Sequence, residues 1–61
     1  MSRQTADVLQ SWIRKINEEG RGLSTWELEF MESVTEQFED RGTLSAKQEE
    51  VVERIYAEKT P

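Results

Sequence analysis

The feature that most constrains the fold is a helix-start signal that occurs twice in the chain. Ser24 is followed three residues later by Glu27, and Ser45 is followed three residues later by Gln48. A serine paired in this way forms a capping box, in which each of the two side chains binds the backbone N–H of the other residue. Helices are therefore predicted to start just after Ser24 and just after Ser45.

The residues around these signals predict two short loops. Leu23 and Leu28 occupy the two positions of a hydrophobic staple at the first signal. At the second signal Leu44 lacks an apolar staple partner, so we expect it to pack elsewhere. Gly20, with Gly22 close behind, and Gly42 precede the signals, and glycine readily adopts the left-handed conformation that ends a helix.

Apolar residues recur at helical spacing in three segments, which predicts helices over residues 5–19, 25–41 and 46–58. No segment alternates with a period of two, and the only proline is the last residue. The predicted fold class is therefore all-α, a compact three-helix bundle forming a single domain over residues 1–61. Up-down-up and crossed arrangements both satisfy the pattern. The apolar stripes comprise Val8, Leu9, Trp12, Ile13 and Ile16, then Trp26, Phe30, Met31, Val34 and Phe38, then Val51, Val52, Ile55 and Tyr56.

Composition limits how this bundle is stabilised and where it functions. The 61 residues include no cysteine, which excludes disulfides, and a chain this short supplies about 3–5 kcal/mol of stability through helix packing. Residues 1–10 lack the basic-then-apolar pattern of a signal peptide, and no long apolar run is present. We expect a cytoplasmic protein without membrane association.

The residue types that most enzyme chemistry needs are missing. Histidine and cysteine are both absent, which removes the commonest general base, the thiolate nucleophile and the usual transition-metal ligands. The three glycines lie near helix ends rather than in a phosphate-binding loop, and the carboxylates lie on predicted helices rather than in a calcium loop. We expect no enzymatic activity, no catalytic residue, no bound metal and no cofactor.

The second predicted helix carries an acidic ridge formed by Glu29, Glu32, Glu36 and Glu39. These residues stand at helical spacing away from the apolar stripe, and no basic residue follows within the helix until Arg41. One interpretation is a solvated outer face that keeps a protein of net charge −5 soluble. The other is a surface that binds a basic protein partner, in the manner of a DNA mimic occupying a nucleic-acid-binding site. Both interpretations are open.

The two tryptophans allow a similar pair of interpretations. Trp12 and Trp26 both lie on apolar stripes, where they fill the core or leave one edge exposed to a partner or to a second copy in a homodimer. The predicted partner-binding residues are therefore Glu29, Glu32, Glu36, Glu39, Trp12 and Trp26.

The alternative to a protein-binding module is a nucleic-acid-associated three-helix protein. The second and third helices are joined by a short glycine-containing turn, as in a helix-turn-helix motif. Contact with phosphate requires Lys and Arg, however, and acidic residues outnumber basic ones off the third stripe. We favour a non-catalytic protein-binding module or regulator over direct nucleic-acid binding. The third-helix residues concerned are Lys47, Glu49, Glu50, Glu53, Arg54, Glu58 and Lys59.

The second half of the chain combines the spacing Trp-Glu-x-x-Phe with Leu-Ser-x-Lys-Gln. The pattern consists of Trp26, Glu27, Phe30 and Val34, then Leu44, Ser45, Lys47, Gln48 and Ile55. It resembles a short helical segment found in small or accessory proteins of phage and prophage type. The resemblance implies no catalytic residue; it implies a small protein that attaches to nucleic-acid-processing machinery, host or viral.

Overall fold

Three helices, each preceded by a hydroxyl-bearing N-cap residue, make up the part of the chain that the structure describes. The computed structural model describes residues 5–60, which contain no strand, and the predicted all-α three-helix fold is confirmed. Residues 1–4 and 61 of the predicted domain lie outside the described part. Both ends of each helix lie within one residue of the predicted bounds. The helices are α1 at Ala6–Glu19, α2 at Thr25–Arg41 and α3 at Ala46–Lys59.

Both predicted capping boxes are present. The Glu27 N–H donates to the Ser24 hydroxyl at 3.2 Å, and the Ser24 N–H donates to the Glu27 carboxylate at 2.8 Å. The same two bonds join Gln48 and Ser45 at 3.1 and 2.8 Å. Each box satisfies backbone donors at a helix start that have no partner within the helix.

Contacts between α2 and α3 show that these helices run in opposite directions. Near the end of α2, the side-chain amides of Gln37 and Gln48 exchange two hydrogen bonds of 3.1 and 3.0 Å. Near its start, the Glu27 carboxylate lies 3.8 Å from the Lys59 ammonium at the end of α3. In each pair, the capping residue of one helix is therefore also attached to the neighbouring helix.

α1 and α3 run in the same direction and pack more extensively against each other than either packs against α2. The Trp12 and Tyr56 rings stack with centroids 5.4 Å apart, and just past the end of α1 the Arg21 N–H donates to the Lys59 carbonyl at 2.9 Å. The helices therefore alternate in direction along the chain, with α2 antiparallel to α3 and α1 parallel to it.

The core lies where the three helices meet. The Cα radius of gyration is 10.6 Å, close to the roughly 10–11 Å of a compact chain of this length. Leu44, which was expected to pack away from a staple, is buried in the core. Of the helices within residues 5–60, none combines the length and the apolar composition that crossing a bilayer requires. The buried apolar residues are Leu9, Ile13, Ile16, Met31, Val34, Leu44, Val52 and Ile55.

The apolar stripe of α2 is only partly buried, so its prediction needs correction. Val34 is 1% exposed as expected, but Phe30 is half-buried and Trp26 is 60% exposed. Leu28 is 58% exposed, so the predicted staple with Leu23 does not bury it. Trp26 and Leu28 lie in the first turn of α2, at the end of the bundle, where less of the neighbouring helices is available to cover them.

The glycines confirm one predicted helix end and correct the other. Gly42 ends α2 in the left-handed conformation with φ +73°, but Gly20 is extended, with φ −66° and ψ 141°. Gly20 is required for a different reason: a Cβ atom there would stand 2.5 Å from the Ile16 carbonyl oxygen and 3.0 Å from Leu23 Cδ1. The left-handed residue of this loop is Gly22, with φ +72°.

Candidate binding surface

The acidic ridge lies on the outward face of α2. All four of its glutamates are exposed, and the helix buries Met31 and Val34 on the other side. Glu29 and Glu39 are ten residues apart, so the ridge extends about 15 Å along the helix axis. The predicted site residues Glu29, Glu32, Glu36 and Glu39 are therefore brought together on one accessible surface.

The ridge carboxylates form no ion pairs among the described residues, although Arg14 lines the same depression as Glu39. The charge of the ridge is therefore available to a partner, and nearby like charges repel one another across helical turns. The ion pairs that join two described residues include Lys15–Glu19, Lys47–Glu50 and Lys59–Glu27.

Glu27 has a structural role and is not part of the acidic ridge. Its pKa is lowered chiefly because the Ser24 backbone N–H donates a hydrogen bond to the carboxylate, with a further lowering from the positive charge of Lys59 that partial desolvation opposes. The carboxylate thus caps α2 and holds the end of α3. Its charge is already compensated within the fold, unlike that of the ridge.

Two exposed apolar side chains flank the acidic ridge. Because each residue advances about 100° around a helix, Trp26 and Leu28 lie on opposite sides of the ridge. The Trp26 ring stacks on Phe30, with centroids 5.3 Å apart and an interplanar angle of 15°. Trp26 therefore has one face on Phe30 and much of the remainder exposed. The surface combines a row of carboxylates with an apolar side chain at each border.

Trp12, the other predicted contact residue, lies elsewhere in the structure. It is half-buried on α1, packs against the core and stacks on Tyr56 of α3. It belongs to the α1–α3 contact and is separate from the outward face of α2. The exposure of Leu28 was not predicted, because the residue was assigned to a hydrophobic staple. Its position off the α2 stripe is the sequence signal that indicates exposure.

The outward face of α3 differs from prediction at two positions. Glu49, expected to be exposed, is only 9% exposed, and Lys59 is half-buried beside Glu27. Glu49 is the fourth residue of α3 and stands three residues before the fully buried Val52, so the two residues share one face of the helix. Acidic residues still outnumber basic ones among those that remain exposed, which are Lys47, Glu50, Glu53, Arg54 and Glu58.

The described residues include no group of three or more Asp or Glu side chains arranged to hold a metal ion. No protein-family model matches the chain, and no curated protein or solved structure matches it either. The chemistry of the α2 surface is therefore the basis on which a function can be argued.

Proposed function

We propose that this protein is a non-catalytic binding module that attaches to a basic surface of a partner protein through the acidic ridge. The observation that carries the proposal is the exposure of Glu29, Glu32, Glu36 and Glu39 together with the lack of ion pairs to them within residues 5–60. A row of uncompensated charge accelerates encounter with an oppositely charged surface and selects against acidic ones.

The class of partner follows from the same chemistry and from the sequence resemblance. Proteins that process nucleic acids carry basic surfaces to contact phosphate, and an acidic helix that occupies such a surface acts as a DNA mimic. The second half of the chain resembles a helical segment of small or accessory proteins of phage and prophage type, and this resemblance supports such a partner. A cytoplasmic location is part of the proposal, since these partners act there.

The exposed Trp26 supports a secondary contact. Large aromatic side chains contribute strongly to binding when a partner covers them, and this one is 60% exposed at the border of the ridge. In the proposed complex Trp26 packs against an apolar residue of the partner beside the ionic contacts. If a second copy of the chain covers the Trp26 ring instead, the protein forms a homodimer through this contact.

Capture from a cell lysate with matched variants tests the proposal. The wild-type protein, the ridge variant Glu32→Gln/Glu36→Gln and the control variant Glu53→Gln/Glu58→Gln are immobilised separately, and captured proteins are quantified by mass spectrometry. Both variants lose two negative charges, but the control changes only exposed residues of α3. A basic protein captured by the wild type and the control, and depleted several-fold with the ridge variant, is the expected result.

Two other outcomes would count against this function. Equal capture by all three proteins would leave the acidic ridge as a solvated face. Saturable binding of duplex or single-stranded DNA by the wild type, weakening steeply with salt, would favour the alternative of a nucleic-acid-associated three-helix protein. A mobility-shift assay at low salt distinguishes this alternative, and we expect it to show no binding.

A further inference from the structure

Apolar side chains line an open groove between α1 and α2, beside the acidic ridge. At this side of the molecule α1 packs less extensively against α2 than it does against α3. We name this feature the α1–α2 groove. Its first depression has Ile16 and Met31 at its base and Leu23 and Leu28 at its side. Glu32 and Glu36 of the acidic ridge also line this depression.

A second depression continues the α1–α2 groove toward the end of α2. Ile13 and Phe38 supply its apolar lining, and Glu39 of the acidic ridge lies at its border. Asn17 and Thr35 line both depressions, and the Asn17 amide donates to the Thr35 hydroxyl at 3.0 Å. This hydrogen bond crosses the groove, so the two depressions lie on either side of a polar bridge.

We infer that the α1–α2 groove receives a basic amphipathic helix of the partner protein. This inference rests on the proposed function and specifies how that partner binds. One large aliphatic side chain enters each depression, and Lys or Arg residues beside the first anchor contact Glu32 and Glu36. Helix-in-groove recognition of this kind uses apolar anchors on one face of the incoming helix.

The spacing and the charge of the α1–α2 groove both fit such a helix. Met31 in the first depression and Phe38 in the second are seven residues apart, about 10 Å along α2, which equals two turns of an incoming helix. Anchors at positions i and i+7 therefore reach both depressions. The first depression is bordered by carboxylates without a cation, whereas Arg14 and Glu18 both line the second. Basic residues are thus favoured most strongly beside the first anchor.

A designed peptide that imitates the incoming helix tests the inference directly. The probe is a helical Leu–Ala–Lys peptide of about 18 residues with leucines two turns apart on one face, and the control peptide has the same composition with its leucines distributed around the helix. Backbone amide shifts of the isotope-labelled protein are followed by NMR during titration. We expect the largest shifts at Asn17, Leu28 and Thr35, and at least tenfold weaker binding of the control peptide.

Two variants separate the α1–α2 groove from the acidic ridge. Leu28→Gln removes an exposed apolar side chain while keeping a good helix former, and we expect it to weaken binding of the probe about tenfold. Ala57→Gln is the control at an exposed position of α3, outside both the α1–α2 groove and the acidic ridge, and it should leave probe affinity within about twofold of wild type. Circular dichroism verifies that both variants are folded.

The results distinguish the inference from the function on which it rests. Salt-dependent probe binding that Leu28→Gln does not change, or shifts centred on Trp26, would refute the groove as the docking site while leaving the ridge as the contact. Lack of saturable probe binding at low salt would refute the groove as the docking site, whereas the proposed function is decided separately by whether Glu32→Gln/Glu36→Gln loses capture of a basic protein. Groove shifts that change on dilution of the protein alone would assign the groove to a second copy of this chain and would also refute the inference.

Discussion

Replacing Val34 and Leu28 separately with alanine tests the structure of α2, where sequence pattern and structure diverge most. Val34→Ala removes two carbons from a side chain that is 1% exposed. At about 0.8 kcal/mol per buried carbon, with a further contribution from the cavity left behind, we expect a loss of about 2 kcal/mol. This is a large part of the roughly 3–5 kcal/mol available to such a domain, but it leaves most molecules folded.

Leu28→Ala removes three carbons, yet we expect it to cost less than about 1 kcal/mol. The side chain is 58% exposed, water fills the space that it leaves, and alanine is a slightly better helix former than leucine. The larger deletion should therefore have the smaller effect. The loss of stability is therefore expected to follow the burial of the side chain and not the number of carbons removed.

Urea denaturation monitored by circular dichroism measures both variants against wild type. The midpoint should fall clearly for Val34→Ala with an unchanged slope, and the thermal midpoint should fall by roughly 8–16 °C. Leu28→Ala should stay close to wild type. If Leu28→Ala is the more destabilised variant, Leu28 is buried and α2 is rotated about its axis relative to the orientation that exposes it.

Three further predictions concern the helix ends. Ser45→Ala removes the cap of α3 and should lower the free energy of unfolding by about 1 kcal/mol in urea denaturation, and an unchanged midpoint would show that the hydroxyl does not cap the helix. Gly20→Ala places a Cβ atom against the Ile16 carbonyl oxygen and should cost about 1–3 kcal/mol by the same assay; full stability would contradict this close approach. Folding lowers the pKa of Glu27, chiefly through the backbone hydrogen bond at the start of α2. The ionised carboxylate therefore stabilises the native state at pH values above the unfolded-state pKa. This stabilisation is lost as pH falls through the folded-state pKa. Glu27→Gln should therefore be less stable than wild type at neutral pH and equally stable at strongly acidic pH, and a difference that grows on acidification would show that the sign is wrong.

The helix starts were predictable because capping is local. Ser24 and Ser45 each form a box with a residue three positions later, so the signal and the structure share the same few residues. The end of α2 at Gly42 was predictable in the same way, because glycine readily adopts the left-handed conformation that ends a helix. The outward placement of the acidic ridge also follows from sequence, because helical periodicity alone puts its members opposite the buried stripe.

Properties that depend on how the helices meet were not predictable. Periodicity assigned Trp26 to the core face, but it does not show that the first turn of α2 lies at the end of the bundle. Glu49 was expected to be exposed because it lies off the apolar stripe of α3, but it shares a helix face with the buried Val52 and is itself buried. The α1–α2 groove depends on the unequal packing of α1 against its two neighbours, which no local pattern encodes.

The association rate with the captured partner tests the central claim most directly. It is measured by surface-based kinetics at increasing salt for wild type, for Glu32→Gln/Glu36→Gln and for the control Glu53→Gln/Glu58→Gln. Since all four positions are exposed, the variants should retain wild-type stability. If the acidic ridge steers a basic partner, the wild-type and control proteins associate at similar rates, and both rates fall as salt screens the charges. The ridge variant associates several-fold more slowly, and its rate depends less on salt. Equal rates for all three proteins, unaffected by salt, would contradict the claim that the acidic ridge is the binding surface.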